Sequence, residues 1–126
     1  MQLVTTGYVE KTTGLTERAI RYYCDLNLIT PKKNEIGQIN LSNEDLLDLI
    51  KVLTLKILGK RLKSIASFQL HELGIREIRI QLDEMYTYIE YLLLSLNQLE
   101  CVKNEAVVLN TLKLFYEFNE KYINKR

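Results

Sequence analysis

The spacing of apolar residues changes along this chain, and each change marks a new element. In residues 6–31, TGYVEKTTGLTERAIRYYCDLNLITP, the apolar or amphipathic Val9, Leu15, Ile20 and Tyr23 fall on the facing sides of two short helices. The first runs from about Thr6 to Thr12. Thr5 or Thr6 is its N-cap, because a Thr hydroxyl accepts from the unpaired N–H groups of a first turn. Thr13-Gly14 forms the turn, where Gly takes the left-handed conformation that ends a helix cheaply. Thr16 caps the second helix, and Glu17 stands in its first turn, where a negative charge suits the helix dipole. Pro31 cannot continue the hydrogen-bond ladder, so that helix must stop before it.

From Pro31 to Leu41 the pattern shortens, and Ile36, Ile39 and Leu41 around Gly37 predict a β-hairpin or wing. Ser42 and Asp45 then open a helix whose expected apolar stripe is Leu46, Leu47, Leu49, Ile50, Leu53, Ile57 and Leu58, ending at Gly59. Arg61 to Leu73 reads as a fourth helix, with Leu62, Ile65, Ala66, Phe68 and Leu73 inward. After Gly74 the rhythm becomes that of a seam. Ile75, Ile78, Leu82, Met85, Ile89, Leu92, Leu96 and Leu99 alternate steps of 3 and 4, an a/d repeat that needs a partner. A last amphipathic segment, Glu105 to Ile123, puts Val108, Leu112, Phe115, Phe118 and Tyr122 on one side. It is expected to fold back across the seam, whose apolar face Tyr88, Leu93 and Leu94 widen.

The expected fold is therefore mainly α. A winged helix-turn-helix domain (residues 1–74) precedes a coiled-coil dimerisation helix (75–103) and a C-terminal amphipathic helix (104–126). Five Gly and one Pro in 126 residues fit that class, and no apolar run approaches membrane-spanning length. The N-terminal stretch lacks the basic-then-apolar pattern of a secretory signal, so the expected location is the cytoplasm. Cys24 and Cys101 lie far apart with no CxxC spacing, which indicates neither a disulfide framework nor a zinc ribbon.

Net charge is only +1, but it is unevenly distributed. Residues 1–63 hold ten Lys/Arg against seven Asp/Glu, and residues 64–126 hold seven against nine, so the basic excess belongs to the first half. In a helix-turn-helix, the outer face of the second helix meets a DNA groove. Here that face is Arg18, Arg21, Tyr22 and Asp25, at i, i+3, i+4 and i+7. An arginine fork bonds a guanine edge or a phosphate in bidentate fashion. Lys11, Thr13 and Thr16 near the turn, and Lys32 and Lys33 on the wing, are the expected phosphate contacts. The competing view of two arginines, a merely solvated face, does not account for the turn, the inner apolar set, the wing and the seam together.

These same residues carry a family resemblance. RAIRYYCDLNLITP is similar to the R-x-x-R-Y-Y-x-x-x-x-L-[IL]-x-P pattern of MerR-family transcription regulators, and SNEDLLDLIKVLTLKILG to the family's next helix. LKSI and the long seam follow in the family's order, so the resemblance covers about residues 4–103. It implies a homodimer joined by an antiparallel coiled coil, with each protomer reading half of an inverted repeat in double-stranded DNA. It also implies action at a promoter, where RNA polymerase is the further partner, and a signal that switches repression to activation.

Three positions depart from the family. The wing reads Ile36-Gly37-Gln38-Ile39-Asn40-Leu41, without the usual arginine and tyrosines. Glu10 stands where a small residue usually packs at the helix crossing. Lys60 replaces the usual Phe and adds a candidate phosphate contact.

No cofactor is expected. The alternatives for Cys101 are a cross-subunit metal site with His71 and a buried structural role, and soft-metal sites usually draw on more thiolates or imidazoles. For Cys24 the alternative is a redox role on the DNA-reading helix. Tyr86, Tyr88, Tyr91, Phe115, Tyr116, Phe118 and Tyr122 either line an aromatic ligand pocket or form core. Two classes remain for the whole chain: a regulator, or an architectural or protein-interaction module of the same fold with no inducer. Enzyme chemistry is not expected, because the chain has one His, isolated glycines and no nucleophile–base pair at a supporting spacing.

Overall fold

The computed structural model describes residues 3–65 and 67–124, with Ser67 and Phe68 described by backbone alone. Ala66 and the side chain of Phe68, both expected inward, thus lie outside the described residues. The chain divides into two compact units, Met1–Thr54 with Leu62–Gly74 and Leu55–Arg61 with Ile75–Arg126.

In the first unit, β1 (Val4–Thr5) leads into α1 (Thr6–Thr13), and α2 (Glu17–Asp25) follows. Thr5 caps α1, its hydroxyl accepting from Tyr8 N at 3.1 Å. Gly14 closes α1 at φ +86, its N–H bonded to Glu10 O. Thr16 caps α2 in the same way, accepting from Ala19 N at 3.0 Å. The inner set is as expected: Val9, Ile20 and Tyr23 are buried and Leu15 is partly so. α2 stops well short of Pro31, because Asn27 turns into the left-handed region at φ 61. That reversal sends Leu28 and Ile29 back into the core, where both are fully enclosed.

The wing is β2 (Lys32–Lys33) paired antiparallel with β3 (Ile39–Leu41). The two-residue β1, too short to show a period in the sequence, pairs with the other side of β3, with Val4 opposite Leu41. The sheet order β1-β3-β2 leaves β2 at an edge.

α3 (Asn43–Ile57) opens with a reciprocal cap, in which Asp45 N donates to Ser42 Oγ while Ser42 N donates to Asp45 Oδ2 at 2.9 Å. Its buried row is Leu49, Val52, Leu55 and, just past its end, Leu58. This corrects the expected stripe, since Leu47, Ile50, Leu53 and Ile57 face outward. The reason lies across the fold. Asp48 is buried on the inner side of α3, 3.5 Å from Lys51 Nζ and 3.6 Å from His71 Nδ1, and Lys51 Nζ also donates to Leu70 O. The face of α3 that turns in thus carries these polar contacts to α4 (Ser67–Glu72) beside its buried row Leu49, Val52 and Leu55. The segment read as one fourth helix is a 3-10 turn (Leu62–Ser64) followed by the short α4.

The second unit is a helical hairpin. α5 (Ile75–Cys101) and α6 (Glu105–Phe118) are joined by three residues, with Asn104 capping α6 by accepting from Val107 N at 2.9 Å. A π-helical turn, Asn119–Ile123, extends α6. Leu58, Leu92, Phe118 and Tyr122 form its core, with Leu82, Met85, Tyr88, Leu114 and Phe115 packed around them. Early α5 residues meet late α6 residues, so the two helices run antiparallel. The seam is consequently divided: Ile78 and Leu92 are buried and Met85 packs on the hairpin core, whereas Ile75, Ile89 and Leu96 remain exposed.

Gly59 ends the α3 segment at φ +77, and a Cβ added there would overlap the Tyr122 carbonyl. Gly14 has a similar φ but open space where its Cβ would stand. Gly14→Ala is expected to lower stability by about 1 kcal/mol, the cost of a left-handed L-residue alone. Gly59→Ala adds steric overlap and is expected to cost on the order of 3 kcal/mol. Denaturant melts of the two variants check this, and equal losses would contradict the close backbone approach at Tyr122.

Candidate nucleic-acid interface

Burial of Ile20 and Tyr23 determines which side of α2 is displayed. On the opposite side Arg18, Arg21, Tyr22 and Asp25 are exposed, with the spacing read from the sequence. Tyr22 leans against Tyr23, their ring centroids 6.0 Å apart, so it has a fixed neighbour on its inner flank. Lys32 and Lys33 are exposed on the edge strand β2, and Lys11 and Thr16 are exposed on either side of the turn.

Arg21 and Lys33 are brought to one hollow of about 330 Å³ between α2 and the wing, also lined by Cys24, Asp25 and Gln38. The wing turn is held by Asn34, whose side-chain oxygen accepts from Ile36 N at 3.1 Å and Gln38 N at 2.8 Å. Its apex presents Ile36, 84% exposed, in place of a charged or aromatic tip.

One of the expected phosphate contacts has its hydroxyl engaged locally. Thr13 Oγ1 donates to Val9 O at 2.8 Å and accepts from Leu15 N at 3.1 Å. Its one proton is thus donated within the turn. Lys60 is exposed and lies in the second unit.

Asp25 was expected on this face, and two further acidic side chains, Glu10 and Glu17, join it there. Glu10, Glu17 and Asp25 border the same open hollow as Arg18, Arg21 and Tyr22. Glu10 Oε1 accepts from the backbone N–H of Glu17 at 2.9 Å, capping α2 from α1. Glu17 Oε1 accepts from Thr6 Oγ1 at 2.9 Å. The available signal was Glu10 itself, a charged residue at the crossing of two helices.

Of the other candidates, His71 Nδ1 lies 3.6 Å from Asp48 Oδ2, and Cys101 is exposed within the chain rather than buried. Among the described residues, no group of three or more His, Cys, Asp or Glu side chains is arranged to hold a metal ion. The aromatic set divides. Tyr88, Phe115, Phe118 and Tyr122 build core, with Phe118 and Tyr122 centroids 4.8 Å apart, whereas Tyr86, Tyr91 and Tyr116 are exposed. The Cys24 thiol is pushed above its ordinary value, first by burial and then by Asp25, against the opposing pull of Lys33. That shift and its partial burial favour the thiol over the thiolate.

A helix that displays two arginines from its outer face, held by a partner helix and with a two-lysine wing beside it, defines a DNA-binding helix-turn-helix protein. The family can be stated: the chain belongs to the MerR regulators, since the model for the MerR HTH family regulatory proteins matches residues 4–72, more than half of its length. These are DNA-binding regulators of transcription. No curated protein and no solved structure matches the chain. No helix among the described residues is long and apolar enough to cross a membrane.

Alkylation at neutral pH provides a check on the thiols. Iodoacetamide is expected to label the exposed Cys101 well before Cys24, as read by peptide mass spectrometry. Labelling in the reverse order would mean that Cys24 is an activated thiolate.

Proposed function

We propose that the chain is a homodimeric, sequence-specific transcription regulator, each protomer reading half of an inverted-repeat operator. The observation that carries this reading is the division of α2. Ile20 and Tyr23 are enclosed while Arg18, Arg21 and Tyr22 stand exposed, in a chain of the MerR family. In the major groove, Arg18 and Arg21 have the fork geometry for guanine edges, and Tyr22 offers a ring and a hydroxyl beside them. Lys11, Thr16, Lys32 and Lys33 supply phosphate contacts from the two flanks. At a promoter, such a complex shares the DNA with RNA polymerase.

The dimer reading rests on the exposed half of the seam. α5 presents Tyr86, Ile89, Leu93 and Leu96, each a position or so beyond the residues that face α6. α6 presents Val108 and Leu112 with the same offset from its inner row. Because the helices are antiparallel, equal offsets emerge on one side of the hairpin, giving an apolar surface two helices wide. A twofold axis sets that surface against its copy, and α6 then contributes alongside α5.

Selection of duplexes from a random pool is the central test. Enrichment of an inverted repeat is expected, whereas salt-sensitive binding without enrichment would favour the architectural module. Arg18→Ala or Arg21→Ala is expected to weaken operator binding roughly 10- to 100-fold without altering the melt. Unchanged affinity in both would remove α2 as the reader. For the dimer, Ile89→Glu with Leu96→Glu places charges on the exposed row and spares the hairpin core. Sedimentation as a monomer is expected, and a persistent dimer would move the interface to another surface.

A further inference from the structure

We propose that Glu10 is a built-in competitor for DNA phosphate at the start of the reading helix, and so a determinant of specificity. This inference rests on the DNA-binding reading above. The first N–H groups of any helix lack partners within it and, with the helix dipole, favour an anion. In a groove-reading helix, a backbone phosphate is the anion at hand.

Here the position is already taken. Thr16 accepts from Ala19 N, and Glu10, reaching across from α1, accepts from Glu17 N at 2.9 Å. The bond spans seven residues of sequence and joins two helices, so it is not the ordinary local cap. Glu17 turns its own carboxylate onto Thr6, in space that Gly7 leaves free. A Cβ there would stand 3.1 Å from Glu17 Oε1.

With Asp25, three carboxylates border the hollow that holds Arg18 and Arg21. The reading face is therefore close to charge balance, although it carries two arginines. A phosphate approaching the start of α2 meets a seated carboxylate, and the sequence-independent part of binding is reduced. Base-edge contacts from Arg18 and Arg21 then carry a larger share of the affinity. Glu10 thereby lowers binding to wrong sequences more than it lowers discrimination among bases.

Two variants separate the charge from the space. Glu10→Gln keeps an acceptor for Glu17 N and removes the charge, whereas Glu10→Ala vacates the position. Binding is measured by fluorescence anisotropy on a duplex of random sequence, over a series of salt concentrations, with thermal melts confirming that both variants fold. Both are expected to bind the random duplex about three- to ten-fold more tightly than the wild type. In the Ala variant, the plot of log affinity against log salt is expected to steepen by about one, the mark of one added phosphate contact. Unchanged or weaker binding by two folded variants, alongside measurable wild-type binding, would overturn the role of Glu10 alone. No salt-dependent duplex binding by the wild type or either variant would overturn the DNA-binding reading and this inference with it.

Discussion

A nine-residue helix is not stable by itself in water, and α2 is such a helix. It persists because Ile20 and Tyr23 are removed from solvent and because both of its neighbours in sequence, Thr16 and the α1 hairpin, satisfy its first turn. That one requirement also decides what α2 can do. Rotating the helix to bury another face would expose Ile20 and cover the arginines, so displaying Arg18 and Arg21 and holding the helix in place are a single packing problem. The wing obeys the same geometry, since β3 is paired on both sides and Lys32 and Lys33 are left on the free edge.

α5 shows how one heptad repeat can serve two neighbours. An a/d stripe is usually taken up by a single partner helix. Here the d line (Ile78, Met85, Leu92, Leu99) is buried or partly so, whereas Ile75, Ile89 and Leu96 of the a line stay exposed. Tyr88 contributes to the inner side, its ring 5.4 Å from that of Phe118 and its hydroxyl turned toward Glu117. Desolvation and then Glu117 raise the tyrosine above its ordinary value. The short C-terminal helix is therefore an integral layer of the hairpin, and the whole apolar surface is wider than a two-stranded coil would need.

What could be read in advance was what local chemistry decides. The caps at Thr5, Thr16 and Ser42, the turn at Gly14 and the uninterrupted α5 follow from residues within a turn of one another, and the structure carries all of them. The face of α3 was not legible in that way. Leucine or isoleucine stands at so many of its positions that periodicity selects no side, and the choice depends on tertiary contacts distant in sequence, such as those of Asp48 and Lys51 with α4. The break between Leu62–Ser64 and α4 was equally hidden, since residues 61–72 contain no Gly or Pro to signal it. At the DNA face, the outward arginines were legible from spacing. The committed hydroxyl of Thr13 and the reach of Glu10 were not, because both depend on how two helices meet at Gly14.

The closeness of Gly59 to Tyr122 bears on the order in which the molecule can form during synthesis. All residues of the first unit have been made once Gly74 is joined. The second unit takes residues 55–61 from early in the chain, yet Leu58 is covered only by residues as late as Phe118 and Tyr122. A ribosome-bound chain can thus complete its DNA-reading half first, while Leu58 waits uncovered for roughly sixty more residues, several seconds at ordinary elongation rates. During that interval, the apolar turn around Leu58 stays uncovered. A chaperone that screens nascent chains would find its target there.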